Sequence, residues 1–106
     1  LLRQIPVGET VLEAILEIVR SGRLETTKVD EVKRHVAWGP GPRASQALMM
    51  AVRARAILDG RLSPSVEDVL DLAPPVLRHR MALNFAARAE GVSLDDIIQR
   101  LLAPYR

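Results

Sequence analysis

The middle of the chain contains a segment that no helix can include, because residues 38–43 read Trp-Gly-Pro-Gly-Pro-Arg. Two prolines and two glycines within four positions interrupt an α-helix. Proline lacks the backbone N–H, and glycine loses the most conformational freedom on folding. Proline is favoured, however, at the first position of a new helix. The segment therefore predicts a turn that leads into a helix beginning at Pro42.

Two helices are predicted before this turn. A capping-box pattern of Thr10 and Glu13 predicts the start of the first, which is expected to end near 21–22. Residues 22–28 are polar and predict a loop, and Asp30 is the expected N-cap of a short second helix. The predicted inner face of that second helix consists of Val32, Val36 and Ala37.

The helix that begins at Pro42 is the most clearly marked element, and Gly60 is expected to end it. Alanine is frequent on its predicted inner face, which favours close packing of neighbouring helices. The predicted apolar stripe consists of Ala44, Ala47, Leu48, Ala51, Ala54, Ile57 and Leu58. Trp38, beside the turn, is expected to be a buried core residue.

Two further capping boxes, at 65–68 and 93–96, predict two more helices, and the proline pair 74–75 is expected to close the first of them. Residues 81–91 alternate as a strand would, but no second strand is found to pair with them. They are predicted to form an extended stretch that leads into a short helical turn. The predicted fold is all-α, a small bundle of five or six helices in a single domain over 1–106.

Composition excludes several classes of protein. Apolar residues make up 48% of the 106 positions, and the net charge is only +2, which excludes a disordered chain. Without cysteine there is no disulfide, thiol nucleophile or cysteine-ligated zinc. No apolar run reaches the roughly 18 residues of a membrane span, and residues 1–4 do not resemble a signal peptide. The expected compartment is the cytoplasm. Because the chain begins at Leu1, it is expected to be a piece of a longer protein.

Residues suited to catalysis are scarce. His35 and His79 lie far apart, without the spacing that places two imidazoles on one helical face. The acidic pairs at 67–68 and 95–96 fall in first turns of helices, where they complement the helix dipole. No nucleophile elbow and no phosphate-binding loop motif is present. The sequence therefore predicts no catalytic residue and no metal site in this chain.

Arg43 is the exception, because it lies in the first turn of a predicted helix, where a cation faces the positive pole of the dipole. A structural arginine gains nothing there. An arginine that holds an anion gains much, because the guanidinium, the backbone N–H groups and the dipole all favour one phosphate. Two interpretations remain open: contact with an anion, or a surface Arg43 paired with a nearby carboxylate.

A second basic cluster consists of Arg78, His79 and Arg80. We interpret this cluster first as a solvated C-terminal helix end, where cations interact favourably with the negative pole of the helix dipole. The alternative interpretation is that it forms part of a subunit interface. The other arginines do not form one stripe, and no aromatic platform for stacking bases is evident. A small helical nucleic-acid binder is therefore ranked last, and no nucleic-acid partner is predicted.

Several segments together resemble the C-terminal part of MoxR-family AAA+ ATPases. They read VAWGPGPRASQAL at 36–48, ARAILDGR at 54–61, VEDV at 66–69, APPVLRHR at 73–80 and NFAARAEG at 84–91. The resemblance runs from about residue 6 to the end. The family turn often has Ser or Ala where this chain has Gly41, a departure expected to loosen the turn slightly.

The resemblance implies a helical lid that follows an α/β nucleotide-binding core. It identifies Arg43 as the sensor 2 arginine, which reaches the phosphates of bound ATP, with Gly41, Pro42 and Ala44 forming the turn that positions it. The missing core would supply Mg²⁺, so the fragment alone is not expected to hydrolyse ATP. The implied partners are that core, neighbouring subunits in a ring that is usually a hexamer, and proteins with von Willebrand factor A domains.

The resemblance also implies a wider role. MoxR-type ATPases act as chaperone-like factors in the maturation of protein complexes, and the lid would couple the nucleotide state to its own movement. The alternative class is a stand-alone helical module that binds a partner protein and no nucleotide.

Overall fold

Six α-helices and one short two-stranded sheet make up the computed structural model, which describes residues 7–106. The sequence interpretation of residues 1–4 falls outside this range. In chain order the elements are α1 (Glu9–Gly22), α2 (Asp30–His35), β1 (Val36–Trp38), α3 (Pro42–Leu58), α4 (Val66–Arg78), β2 (Ala82–Leu83), α5 (Phe85–Ala89) and α6 (Leu94–Leu102). A short 3-10 turn, Ala103–Tyr105, follows α6. The prediction of a small all-α bundle is confirmed.

Helices α1, α3, α4 and α6 pack around one apolar core. The largest side chains that are completely buried are Ile15, Ile18, Leu48, Leu77, Ile98 and Leu102. Helix α3 contributes a line of residues four positions apart, which consists of Ala44, Leu48, Val52 and Ala56. The predicted stripe was therefore wrong in part, because Ile57 and Leu58 are exposed while Val52 and Ala56 face the core. Apolar residues occur all around α3, so their spacing alone did not fix which face turns inward.

Two of the three predicted capping boxes are confirmed. The hydroxyl of Ser65 accepts from the Asp68 N–H, and that of Ser93 accepts from the Asp96 N–H at 3.1 Å. The box at Thr10 was wrong, because α1 begins at Glu9 and its N-cap, Gly8, provides no side-chain cap.

Asp30 is the first residue of α2 rather than its N-cap, which is Val29. Its carboxylate still lies in the first turn, where negative charge complements the positive pole of the dipole. Asp30 therefore indicated the start of α2 correctly, although it does not form the predicted capping hydrogen bond.

The prediction that Pro74 and Pro75 close a helix was also wrong, because α4 continues through both prolines to Arg78. The two missing N–H groups remove two helical hydrogen bonds. Ala73 and Leu77, on either side of the pair, are both completely buried. Burial of these side chains favours continuation of the helix over an earlier end.

The stretch after α4 is extended and then forms a helical turn, as predicted, but its strand does have a partner. Strand β2 pairs antiparallel with β1, with Val36 opposite Leu83 and Trp38 opposite Ala82. Val36 and Ala37 therefore belong to a strand and not to the predicted inner face of α2. Strands of three and two residues are too short to show a two-residue alternation, which is why the sequence did not reveal the pairing.

Asn84 joins the elements on this side of the molecule. Its N–H donates to the His35 carbonyl at 2.9 Å, and its side-chain amide donates to the Arg34 carbonyl at 2.7 Å. Its side-chain oxygen accepts from the Ala87 N–H at 2.9 Å and so caps α5. One residue thus connects the end of α2, the small sheet and the start of α5. No helix within residues 7–106 is long and apolar enough to cross a membrane.

The turn between β1 and α3 packs directly on the end of α1. A β-carbon added to Gly39 would overlap the carbonyl oxygen of Gly22, and one added to Gly22 would lie 3.0 Å from the Pro40 ring. Pro40 itself is completely buried. Glycine is therefore required at position 39 for close approach of two backbone segments.

We expect Gly39→Ala to lower the free energy of unfolding by about 2 to 3 kcal/mol, because the added methyl group has no space and the two segments must separate. Gly41→Ala is the matched control. A β-carbon there would meet no atom within 4 Å, so its stability should stay within about 1 kcal/mol of the parent. Urea unfolding of both variants measures the difference, and equal stabilities would contradict the close contact.

An ionic network fixes the connection between α3 and α4. Arg61 donates from Nη1 and Nη2 to the two carboxylate oxygens of Asp68, each at 2.8 Å, and Nη2 also donates to Asp59 at 3.0 Å. Asp68 is buried and accepts from the Ser65 N–H as well. The hydrogen bonds from Arg61 hold the pKa of Asp68 below its ordinary value, while burial acts in the opposite direction.

The lowered pKa gives the stability a predicted dependence on pH. The Asp68 carboxylate stabilises the fold above the pKa of an unfolded aspartate, about 3.9, and this contribution is lost as the pH falls through the lower folded pKa. Asp68→Asn should cost about 2 to 3 kcal/mol near neutral pH, because the amide cannot accept both bonds from Arg61.

Urea unfolding between about pH 7 and about pH 2 tests this, and the cost of Asp68→Asn should shrink toward the acid end. Asp95→Asn, which breaks an exposed pair, is the control and should cost less than about 1 kcal/mol. A cost of Asp68→Asn that is independent of pH would argue against the Arg61 pair as its cause.

Candidate functional site

Arg43 is the second residue of α3, and its side chain is exposed. The N-cap is Gly41, Pro42 occupies the first helical position, and the Ala44 N–H donates to the Gly41 carbonyl at 3.0 Å. Arg43 forms no ion pair with a carboxylate anywhere in residues 7–106. The surface ion pair considered from the sequence is therefore not formed within this range.

The N-terminus of α3 differs from the other helix starts that the structure describes. Helices α4, α5 and α6 are capped by the side chains of Ser65, Asn84 and Ser93, and α1 and α2 have acidic residues in their first turns. Helix α3 has neither, and Arg43 adds a positive charge there. A cation at an uncapped positive pole is electrostatically unfavourable unless an anion approaches.

A cleft of about 390 Å³ adjoins the turn that leads to Arg43. Its lining residues are Arg23, Leu24, Glu25, Ala37, Trp38, Gly39, Pro40, Gly41 and Pro42. The prediction that Trp38 is a core residue was wrong, because 56% of it is exposed. Trp38 pairs with Ala82 at the edge of the small sheet, and the buried ring at this turn is instead that of Pro40.

Arg23 is a residue of this region that the sequence analysis missed. Its Nε donates to the Pro40 carbonyl oxygen at 2.9 Å, across 17 positions of sequence. The side chain is half-buried and pairs with no carboxylate among residues 7–106. Arg23 lies in a loop just after a helix, and no local pattern links that position to the distant turn.

Two of the three residues in the second basic cluster contact other parts of the bundle. Arg78 forms an ion pair with Asp95 of α6, with Nη2 2.9 Å from the carboxylate oxygen, and Arg80 donates to the Val76 carbonyl at 3.2 Å. His79 is the exposed C-cap residue of α4. The Arg78 pair thus joins α4 to α6, and a role at a subunit interface stays a prediction.

The remaining candidates do not assemble a reactive site. His35 is buried, with Nε2 3.4 Å from the Glu90 carboxylate, and it is far in sequence and on a different element from His79. Arg55 pairs with Asp71 at 3.6 Å. No group of three His, Asp or Glu side chains that could hold a metal ion occurs in the part of the chain that the structure describes.

Comparison with known proteins identifies the fold family. A model of the AAA lid domain matches residues 30–101, which is more than half of the chain. The chain is 34% identical over 97 residues to chaperone MoxR1 of Mycobacterium tuberculosis, covering 91% of this chain and 26% of that protein. It is 32% identical over 101 residues to the uncharacterised protein YeaC of Bacillus subtilis, covering 95% of this chain and 29% of that protein.

A solved structure agrees with this result. The crystal structure of a predicted ATPase from Cytophaga hutchinsonii superposes with a TM-score of 0.88 at 27% identity, covering 96% of this chain and 31% of that one. The chain thus spans between a quarter and a third of the length of the proteins it matches. It belongs to the AAA lid domain family and is a lid domain of the MoxR-like AAA+ ATPase type.

Proposed function

We propose that this domain, over residues 1–106, contributes Arg43 as the sensor 2 residue to ATP bound by a nucleotide-binding core elsewhere in the same protein. The observation that supports the assignment is the charge of the α3 N-terminus. Arg43 adds a cation to a helix start that has no capping side chain and no acidic residue in its first turn. A phosphate group would neutralise the guanidinium and the helix pole together.

The chemistry expected of Arg43 is electrostatic. Charge spreads over the oxygens of the transferred phosphoryl group in the transition state, and a positioned arginine stabilises it. The core would hold Mg²⁺, and no residue of this chain is assigned to the metal. Gly41, Pro42 and Ala44 form the turn and first helical positions that direct the Arg43 side chain away from the core of the bundle.

The packing of α3 gives a physical basis for coupling ATP to movement of the domain. The residues of α3 at 44, 48, 52 and 56 are completely buried against the rest of the bundle. A force on Arg43 would therefore be transmitted to α1 and α4 and not absorbed by a loose segment. In a ring of subunits, such a movement would alter contacts with the neighbouring core.

The wider role follows by similarity. One relative is described as a chaperone, and we propose a chaperone-like ATPase for the full protein as well. Action on protein complexes, assembly as a hexamer, a cytoplasmic location and partnership with von Willebrand factor A domain proteins belong to the same proposal.

The test is Arg43→Ala in the full-length protein that carries this chain. We expect the turnover of ATP to fall at least tenfold, because a charge that stabilises the transition state is removed. Thermal unfolding should be unchanged or slightly improved, because removal of a cation relieves the positive pole of α3.

Arg88→Ala is the matched control. Arg88 is also exposed and has no ion pair within residues 7–106, but it lies on α5. Its ATP turnover should equal that of the parent. Near-normal hydrolysis by a folded Arg43→Ala protein would reject the sensor assignment.

A further inference from the structure

The turn that precedes Arg43, residues 39–41, is held at one end and open at the other. Gly39 lies so close to α1 that an added β-carbon would overlap the Gly22 carbonyl oxygen, and Pro40 is completely buried. Gly41 differs, because an added β-carbon there would meet nothing within 4 Å, and Pro42 and Arg43 are exposed. The boundary between the fixed and open parts lies at the peptide that follows Pro40.

Arg23 acts on this peptide. Its Nε donates to the Pro40 carbonyl oxygen at 2.9 Å, and this carbonyl belongs to the peptide bond that leads to Gly41. Proline has no N–H, so neither Pro40 nor Pro42 donates a backbone hydrogen bond to hold the turn. Within residues 7–106, Arg23 is the one residue outside the segment 39–41 whose side chain donates a hydrogen bond to that segment.

We propose that Arg23 is a positioning residue for Arg43. Its hydrogen bond fixes the orientation of the Pro40 peptide, which sets where α3 begins and therefore where the Arg43 side chain is presented. This inference rests on the proposed function, since it names a second residue on which the Arg43 contact depends. It also places Arg23, the residue that follows α1 and lies 20 positions before Arg43, within the functional unit.

The geometry distinguishes positioning from direct binding of a ligand. The Arg23 side chain is half-buried and its Nε is already engaged with a carbonyl, whereas Arg43 is exposed and unpaired within residues 7–106. Glu25 also lines the cleft beside Arg23, and a carboxylate there disfavours an anion. We therefore assign the contact with phosphate to Arg43 alone.

A double-mutant cycle in the full-length protein tests the proposal. The four proteins are the parent, Arg23→Met, Arg43→Ala and the double variant, and the measurement is kcat/KM for ATP hydrolysis. Methionine keeps most of the aliphatic stem and removes the donor. We expect Arg23→Met to lower kcat/KM roughly tenfold. A misplacement of a catalytic group by about 1 Å can lower the rate about a hundredfold, so a tenfold loss is consistent with a small shift of Arg43. The double variant should match Arg43→Ala within about twofold, because a residue that acts through Arg43 has no effect once Arg43 is gone.

Two further variants separate positioning from stability. Arg20→Met removes an exposed arginine near the end of α1, whose side chain lies 3.9 Å from Glu17 in a solvent-exposed pair, and should hydrolyse ATP like the parent. Arg23→Lys keeps a donor and a charge and should recover part of the loss. If Arg23→Met does not fold, the cycle is run with Arg23→Lys, whose smaller deficit should likewise disappear in the Arg43→Ala background.

A structural readout accompanies the kinetics. Hydrogen exchange of the peptide spanning 39–48 should become faster in Arg23→Met and stay unchanged in Arg20→Met, because only the first loses the bond that orders the turn. Exchange in α4 should be the same in both variants.

The outcomes separate the two proposals. If Arg43→Ala lowers hydrolysis but Arg23→Met has no effect, or if the two effects multiply, the positioning role is rejected and the sensor assignment remains. If Arg43→Ala itself hydrolyses ATP normally, the sensor assignment fails and the positioning role fails with it. Loss confined to Arg23→Met with normal Arg43→Ala would reject both and indicate a direct role of Arg23.

Discussion

The close approach of the central turn to the end of α1 is the constraint on which the rest of the structure depends. Gly39 lies against the Gly22 carbonyl, and the Pro40 ring is buried beside the same helix end. This contact fixes where β1 stops and where α3 begins. Helix α3 then provides the completely buried line through Leu48 and Val52 around which α1 and α4 pack. The position of Arg43 is therefore set by backbone contacts and not by its own side chain.

Local sequence signals predicted several helix boundaries correctly but failed at Thr10 and at the proline pair 74–75. Capping boxes at Ser65 and Ser93 identified two helix starts, and the glycine–proline run identified the turn and the start of α3 at Pro42. Arg43 was a candidate because its charge conflicts with its predicted position in a helix, and the structure confirms that position while its role stays a prediction. Two features that were missed depend on contacts distant in sequence, namely the pairing of β1 with β2 and the hydrogen bond from Arg23.

Several arginines connect parts of the bundle through ion pairs. Arg61, Arg78 and Arg100 each pair with a carboxylate of another segment, and the Arg100 bond also holds the pKa of Glu31 below its ordinary value. These pairs connect the loop after α3 to α4, α4 to α6 and α2 to α6. Arg43 has no such partner within residues 7–106, although acidic residues are nearly as numerous as basic ones. Arg88 is also unpaired within this range, so Arg43 differs from it in position: it lies in the first turn of a helix that has no capping side chain and no acidic residue there.

The two prolines inside α4 have a consequence for what holds the second half of that helix. Pro74 and Pro75 have no N–H to donate, so the carbonyls of Leu70 and Asp71 lose their helical hydrogen bonds from these positions. Beyond the prolines, the buried side chain of Leu77 and the ion pair of Arg78 with Asp95 of α6 hold the helix against the bundle. The end of α4 therefore depends on tertiary contacts, whereas its start is stabilised locally by the capping box at Ser65.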